Sequence, residues 1–132
     1  MAAGDIIKEK GLIIEEFTVK ANEDIEKGEL VYNDGNGILA AAAGKVPAFM
    51  ALKDHDYSAE TVHKVRCVVW GFVECQKIAA AGGGKKGQPV EVSATAGEVQ
   101  LSDQTAFTDQ VGILVADAAD ADTTAKILLG PR

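Results

Sequence analysis

Short apolar runs and glycine-centred turns alternate along most of this chain. The apolar runs are three to five residues long and rich in Ile, Leu and Val, as in residues 12–14, 30–32, 113–115 and 126–129. The turns between them contain Gly, often beside Asn, Asp or Lys, and the run Asn33–Gly37 has the Asp-Gly chemistry of a tight hairpin. Runs of this length bounded by such turns predict β-strands joined by short loops.

Residues 90–95 add a second signal for strands. Val90, Val92 and Ala94 alternate with polar residues, which gives one apolar and one polar face on an extended backbone. Three alanine-rich segments, residues 40–43, 79–81 and 116–121, favour at most one or two helical turns, because Gly or Asp interrupts each of them. The sequence therefore predicts an all-β fold, a small barrel or sandwich.

An internal repeat organises the predicted strands. Four segments of the first half match four segments of the second half in the same order: 27–31 with 86–90, 37–39 with 97–99, 51–54 with 114–117, and 59–65 with 121–127. We expect two similar β units, residues 17–71 and 76–130. Neither unit has enough apolar surface for its own core, so we expect one domain over residues 11–132.

The first ten residues precede this pattern. Ile6 and Ile7 lie between charged residues, which is compatible with a frayed terminus or with an extended arm that becomes ordered on a partner. We predict an arm over residues 1–10, with Ile6, Ile7, Leu12 and Ile13 as the side chains that bind the partner.

Residues 65–73 form the most apolar strand of the chain. Alternation places Val68, Trp70 and Phe72 on one face, and Cys67, Val69, Gly71 and Val73 on the other. Both faces are apolar, which fits a strand covered on both sides by its own chain or a strand at a subunit interface. Because Trp and Phe are typical interface anchors, Val68, Trp70 and Phe72 are the candidates for a self-interface.

Composition limits the classes of partner. The chain has 132 residues with 47% hydrophobic and 25% charged residues, as in an ordinary globular domain. Its 13 basic and 20 acidic residues give a net charge of −7, which argues against binding to nucleic acid. The longest apolar runs are too short to span a bilayer, so we expect no membrane partner.

Candidates for chemistry are few. Gly82–Gly87 lacks the glycine spacing and the hydroxyl residue of a phosphate-binding loop. Asp54, His55 and Asp56, with His63 nearby, offer metal ligands, but adjacent side chains on extended backbone point in opposite directions, so a solvated turn is favoured. Cys67 and Cys75 are expected to be buried thiols without a disulfide. We predict no catalytic residues, no cofactor and no metal.

The order of segments resembles a known family. It combines EKGELVYNDG (residues 26–35), VWGFVE (69–74), KGQPVEV (86–92), VGILVADA (111–118) and KILLGPR (126–132). In spacing and strand-turn style, residues 17–130 resemble the small capsid decoration, or cement, proteins of tailed bacteriophages and related viruses. The resemblance implies a β-barrel-like domain, commonly a trimer, on the outside of an icosahedral shell, and it implies no catalytic residues.

The resulting expectation is a structural protein. It would bind the major capsid protein and itself as a homotrimer, stabilise the junctions between capsomers, and lie on the outer capsid surface after synthesis in the host cytoplasm. Acidic residues would suit the solvated surface: Asp103, Asp109, Asp117, Asp120 and Asp122. The alternatives are a β-barrel interaction module of a cellular complex, and a small enzyme or carrier subunit.

Overall fold

The computed structural model describes residues 2–79, 82–102 and 109–130, which form nine β-strands. The strands are β1 (Ile6–Thr18), β2 (Leu30–Asn33), β3 (Ile38–Ala40), β4 (Phe49–Ala51), β5 (Lys64–Gln76), β6 (Pro89–Val92), β7 (Val99–Leu101), β8 (Gln110–Leu114) and β9 (Thr124–Leu129). The predicted all-β fold is confirmed. No helix in the described ranges is long and apolar enough to cross a membrane. Where they are described, the alanine-rich segments contain no helix: Ala40 ends β3, Ala118 forms an isolated β-bridge, and the rest are turns or irregular. Residues 80 and 81 lie outside the described ranges.

The strands form one antiparallel sheet in the order β3-β2-β4-β5-β9-β8-β6-β7, and β1 pairs with β5 outside this path. This order is symmetric about the contact between β5 and β9, so that β2, β3 and β4 correspond to β6, β7 and β8. Two parallel bridges, Val19 with Ile38 and Lys77 with Val99, bring the outer strands β3 and β7 back towards the ends of β1 and β5. The sheet is therefore curled into a half-barrel.

Matching hydrogen bonds show that the two halves are built alike. Three bonds of the first half have counterparts in the second. Val19 N–H donates to His63 O (2.9 Å) and Lys77 N–H to Thr123 O (2.8 Å), and Gly28 N–H donates to Ala51 O (2.8 Å) and Gly87 N–H to Leu114 O (2.7 Å). Lys27 N–H donates to Asp54 Oδ1 (2.7 Å) and Lys86 N–H to Asp117 Oδ1 (2.9 Å). The two halves thus have the same pattern of backbone pairing, and the bounds 17–71 and 76–130 stay a prediction.

Two of the four sequence matches are out of register. The match of residues 37–39 with 97–99 makes Ile38 equivalent to Glu98, whereas the two parallel bridges make Ile38 equivalent to Val99. The sequence aligned residues 59–65 with 121–127, which makes His63 equivalent to Ala125. The hydrogen bonds instead make His63 equivalent to Thr123. The backbone oxygen of His63 accepts from Val19 N–H just after β1, and that of Thr123 accepts from Lys77 N–H just after β5. These matches failed because the loops that precede the strands differ in length between the two halves. Similar side chains at a few positions do not determine how strands pair.

The larger of two hydrophobic clusters is shared by both halves. This main core contains Leu30, Met50 and Val68 from the first half and Ile127 and Leu129 from the second, all at most 2% exposed. A smaller cluster around Val31, Ile38, Val65 and Cys67 fills the first half alone. The sharing of the main core explains why the two units form one sheet.

The predicted extended arm over residues 1–10 is not confirmed. Residues from Ile6 onwards belong to β1, and Ile6 is paired with Val73 of β5. Ahead of it, Gly4 N–H donates to Glu74 O at 2.8 Å. The chain start is held because the apolar side chains Ile6 and Leu12 pack against the main core.

The turn between β2 and β3 contains two glycines, and only one of them lies close to a neighbouring backbone segment. Gly35 and Gly37 both have positive φ, 99° and 132°. A Cβ on Gly37 would lie 2.5 Å from the backbone nitrogen of Lys20, whereas a Cβ on Gly35 would meet nothing within 4 Å. Only Gly37 therefore lies where two backbones approach closely.

We expect Gly37→Ala to lower the free energy of unfolding by about 3 kcal/mol, because it adds a backbone clash to strain. Gly35→Ala, with strain alone, should cost about 1 kcal/mol. Urea unfolding followed by tryptophan fluorescence measures both. Equal losses for the two variants would show that β3 does not lie this close to Lys20.

Candidate interaction surface

The three predicted interface residues on β5 lie in different environments. Val68 is fully buried in the main core, Trp70 is 38% exposed, and Phe72 is half-buried. The strict alternation assumed from the sequence is wrong here, because it placed Val68 and Trp70 on the same face. The register between β1 and β5 shifts at this point, between Ile13 and Ile14. Such an irregularity changes which residues of a strand point inwards.

Trp70 lies on the surface against a glycine and an isoleucine. A Cβ on Gly130 would be 2.1 Å from Trp70 Cε3, so the indole ring rests on the bare backbone of Gly130. Ile13 is the cross-strand partner of Trp70 and is 50% exposed. Together these two side chains form an exposed apolar pair, of the kind that is usual at the centre of protein interfaces.

A row of half-buried apolar side chains continues from this pair across the sheet. Phe72 is opposite Leu128, Leu128 is opposite Ile113, and Ile113 is opposite Pro89. All four are partly exposed. Because directly opposite residues project from the same face, they form one stripe over β5, β9, β8 and β6, which we call the apolar row. The sequence analysis missed Leu128, Ile113 and Pro89, since only the pairing brings them beside Phe72.

The predicted partner-binding residues of the N-terminal segment are divided between the core and the surface. Ile6 and Leu12 pack against the main core, and Leu12 Cδ1 would be 2.9 Å from a Cβ on Gly71. Ile7 is half-buried, and Ile13 is exposed. Of the four, Ile13 therefore offers the most surface to a partner.

A histidine cluster lies in the connection between β4 and β5. His55 is 1% exposed, and its Nε2 lies 3.0 Å from His63 Nδ1. Its Nδ1 lies 3.2 Å from Glu60 Oε2, and the Tyr57 ring stacks on His63 with centroids 3.7 Å apart. The solvated turn expected here fits Asp54 and Asp56, which are exposed, but it is wrong for His55, which is buried and pairs through its backbone with Ile25.

The two aspartates beside His55 already accept hydrogen bonds within the chain. Asp54 Oδ1 accepts a hydrogen bond from Lys27 N–H at 2.7 Å, and Asp56 Oδ1 accepts one from Ser58 Oγ at 2.8 Å. The described part of the chain contains no group of three or more His, Cys, Asp or Glu side chains placed to hold a metal ion. His55 and His63 therefore serve as packing contacts within the connection between β4 and β5.

Both cysteines are free and buried, as the sequence predicted. Burial raises the pKa of the Cys67 thiol and that of the Cys75 thiol to about 12. A thiol with so high a pKa is not a nucleophile near neutral pH. Neither cysteine therefore adds chemistry to the surface around Trp70.

Two chains of known structure have a similar fold. A chain from the capsid of Myoviridae phage XM1 superposes with a TM-score of 0.71 at 19% identity, over 98% of this chain and 90% of that one. The head fiber gp8.5 N base of bacteriophage phi29 superposes with a TM-score of 0.56 at 18% identity, over 88% of this chain and 94% of that one. The fold is that of phage capsid and head fiber proteins.

The predicted resemblance to phage decoration proteins is thus confirmed at the level of the fold. No protein-family model matches the sequence, and no curated protein matches it. The similarity in fold covers nearly the whole chain for the XM1 capsid chain and 88% of it for the phi29 head fiber base.

A buried carboxyl near the entry to β2 makes stability depend on pH. Glu29 is 7% exposed, and its Oε1 accepts a hydrogen bond from Glu26 N–H at 3.0 Å. Burial, aided by the nearby charges of Glu26, Asp54 and Glu23, raises the pKa of Glu29 from 4.5 to about 7. Between these values the folded chain holds a proton that the unfolded chain has lost, so stability falls as the pH rises from 4.5 to 7.

We expect Glu29→Gln to unfold at a higher urea concentration than the parent at pH 8, and at a similar concentration at pH 4, because it removes a charge that is costly to bury. Urea midpoints at pH 4, 6 and 8 measure the difference. Glu15→Gln, at an exposed position of β1, serves as control and should follow the parent at every pH. Parallel pH profiles for the parent and Glu29→Gln would contradict the raised pKa.

Proposed function

We propose that this protein is a capsid decoration, or cement, protein that binds the outside of an icosahedral viral shell. The observation that carries the proposal is the fold shared with a chain of a phage capsid over 98% of this chain. The head fiber base of phi29 supports it, since this second phage protein has a similar fold. Because the shared fold takes up nearly all of the chain, we assign the function to its surface.

The proposed self-interface consists of Trp70, Ile13 and the apolar row. Val68 no longer belongs to it, since a residue with no exposed surface contacts a second chain only if the sheet opens. Exposed aromatic and aliphatic side chains on one face of a sheet lose their contact with water when a second subunit covers them. We propose a homotrimer, because the family that the sequence resembles commonly forms trimers.

The role at the shell follows from multivalency. In an oligomer that touches several subunits of the major capsid protein, each further contact forms at high effective concentration, so individually weak contacts add up to firm attachment. Binding that favours the intact shell stabilises it against disassembly. The net charge of −7 keeps such a protein soluble before it meets the shell.

The self-interface is tested by the solution mass of the protein. We expect light scattering to give the mass of a trimer for the parent, and Trp70→Ala to weaken association about thirty-fold or more, since an aromatic anchor contributes about 2 kcal/mol or more. Val62→Ala is the matched control: Val62 is 67% exposed but lies in the loop before β5, so its truncation should leave the mass unchanged. A monomeric parent, or an equal effect of both variants, would remove Trp70 from the self-interface.

Attachment is tested with shells of the virus that encodes the chain, stripped of decoration. We expect the protein to sediment with the shells up to a fixed ratio, and to raise the denaturant concentration at which they disassemble, because binding favours the assembled state. Trp70→Ala should need a higher protein concentration for the same effect. If the parent does not sediment with intact shells, the decoration function is wrong, and a trimer in solution would then favour an interaction module of another complex.

A further inference from the structure

A buried carboxyl on β5 has one oxygen with no partner. Glu74 is 3% exposed, and its Oε2 accepts a hydrogen bond from Thr124 Oγ1 at 2.7 Å. Its Oε1 is buried and makes no hydrogen bond to any described residue. No Lys, Arg or His nitrogen of the described ranges forms an ion pair with it. A carboxylate that is buried in this way lowers the stability of the fold unless a donor reaches it.

Glu74 lines an open pocket of about 280 Å³. The other charged residues of the lining are Asp117, Asp122 and Lys126, and apart from Thr124 the remaining lining residues are alanines. The lining thus contains three carboxyl groups and one ammonium group, and Lys85, outside the lining, forms an ion pair with Asp117 at 3.6 Å. The alanine side chains are small, so the pocket admits a slender group that enters from outside.

Contacts within the chain already hold the two aspartates. Asp117 Oδ1 accepts a hydrogen bond from Lys86 N–H at 2.9 Å, and Asp122 Oδ2 accepts one from Ala119 N–H at 2.9 Å. These bonds fix the aspartates as part of the turns around the pocket. Asp117 Oδ2 also lies 3.6 Å from Lys85 Nζ in an ion pair, whereas Asp122 keeps its second oxygen. Glu74 Oε1 has no donor among the described residues, so a ligand with several N–H groups fits the lining.

The side chains of the lining limit the chemical class of ligand that the pocket can bind. A metal ion is disfavoured, because the described residues include no group of three or more His, Cys, Asp or Glu positioned as ligands. A guanidinium group carries a fixed positive charge and five N–H donors in a planar fork, at the end of a long, slender side chain. Its N–H groups can supply the donor that Glu74 Oε1 lacks among the described residues and can also donate to Asp122.

We propose that this pocket binds an arginine side chain presented by a different protein with a basic surface. The net charge of −7 favours a basic partner over a second copy of this chain, because two acidic surfaces repel each other. The pocket lies beside the apolar row, since Glu74 follows Phe72 by two positions on β5 and its partner Lys126 precedes Leu128 by two on β9. The inference does not depend on the decoration function.

The direct test uses the protein with N-acetyl-arginine-N-methylamide and with its neutral citrulline counterpart. We expect the amide NMR signals of Glu74, Ala118 and Thr124 to shift with the arginine compound in a saturable manner, and not with the citrulline compound. Glu74→Gln should weaken the response at least ten-fold. Equal shifts with both compounds, or an unchanged response in Glu74→Gln, would overturn the proposal.

The stability of the same variant excludes a trivial explanation, in which Lys126 neutralises Glu74 in solution. Glu74→Gln keeps an oxygen for the Thr124 hydroxyl and removes only the charge. We expect its melting temperature to equal or exceed that of the parent, because an unpaired buried charge is lost. A fall of several degrees would show that Glu74 is already paired in the free protein, and it would overturn the proposal. Thr124→Val, which removes the donated bond, should lower the melting temperature and shows that the assay detects losses at this site.

A variant of Arg66, which is exposed on β5, tests whether a second copy of this chain supplies the arginine that occupies the pocket. If the pocket signals shift with protein concentration alone, and Arg66→Gln abolishes that shift, the arginine comes from another copy, and the proposal of a different protein is overturned. We expect the pocket signals to be independent of protein concentration in both the parent and Arg66→Gln.

Discussion

Strand β5 forms hydrogen-bonded ladders with β1, β4 and β9, and the rest of the sheet depends on these three contacts. Its first part packs Val65 and Cys67 into the smaller cluster of the first half. Its later part packs Val73 and Cys75 into the main core that both halves share. Because one continuous strand serves both halves, neither half can be removed without exposing apolar surface of the other.

The same strand explains the surface that we assign to self-association. Between Val68 and Val73 the inward-facing positions change, and Trp70 lies at this change with its ring on Gly130. A large aromatic residue at the point where a strand changes its buried face lacks a complete pocket in its own chain. Its remaining exposure, together with that of Ile13, leaves an apolar contact for a second subunit.

The two halves share a backbone but differ in their buried polar groups. Val19 in the first half corresponds to Lys77 in the second, where the ammonium group donates to the carbonyl oxygens of Ile78, Asp120 and Asp122 at 2.9–3.3 Å. Buried His55 corresponds to Ala118, which lines the pocket of Glu74. The proposed arginine pocket thus contains a small side chain where the first half has a buried histidine.

The sequence by itself determined the local features: strands bounded by Gly- and Asp-containing turns such as Asn33–Gly37, the absence of long helices, and the two similar units. These depend on backbone preferences and on the alternation of neighbouring side chains, which act within a few residues. Only the tertiary structure decided that Val68 is buried while Trp70 is exposed, that residues 6–10 pair with β5, and that His55 meets His63. It also decided that Phe72, Leu128, Ile113 and Pro89 share one row and that Glu74 Oε1 lacks a donor among the described residues. Each of these depends on strand register and on contacts between distant residues, and a shift of one position in pairing reverses which side chains face the core.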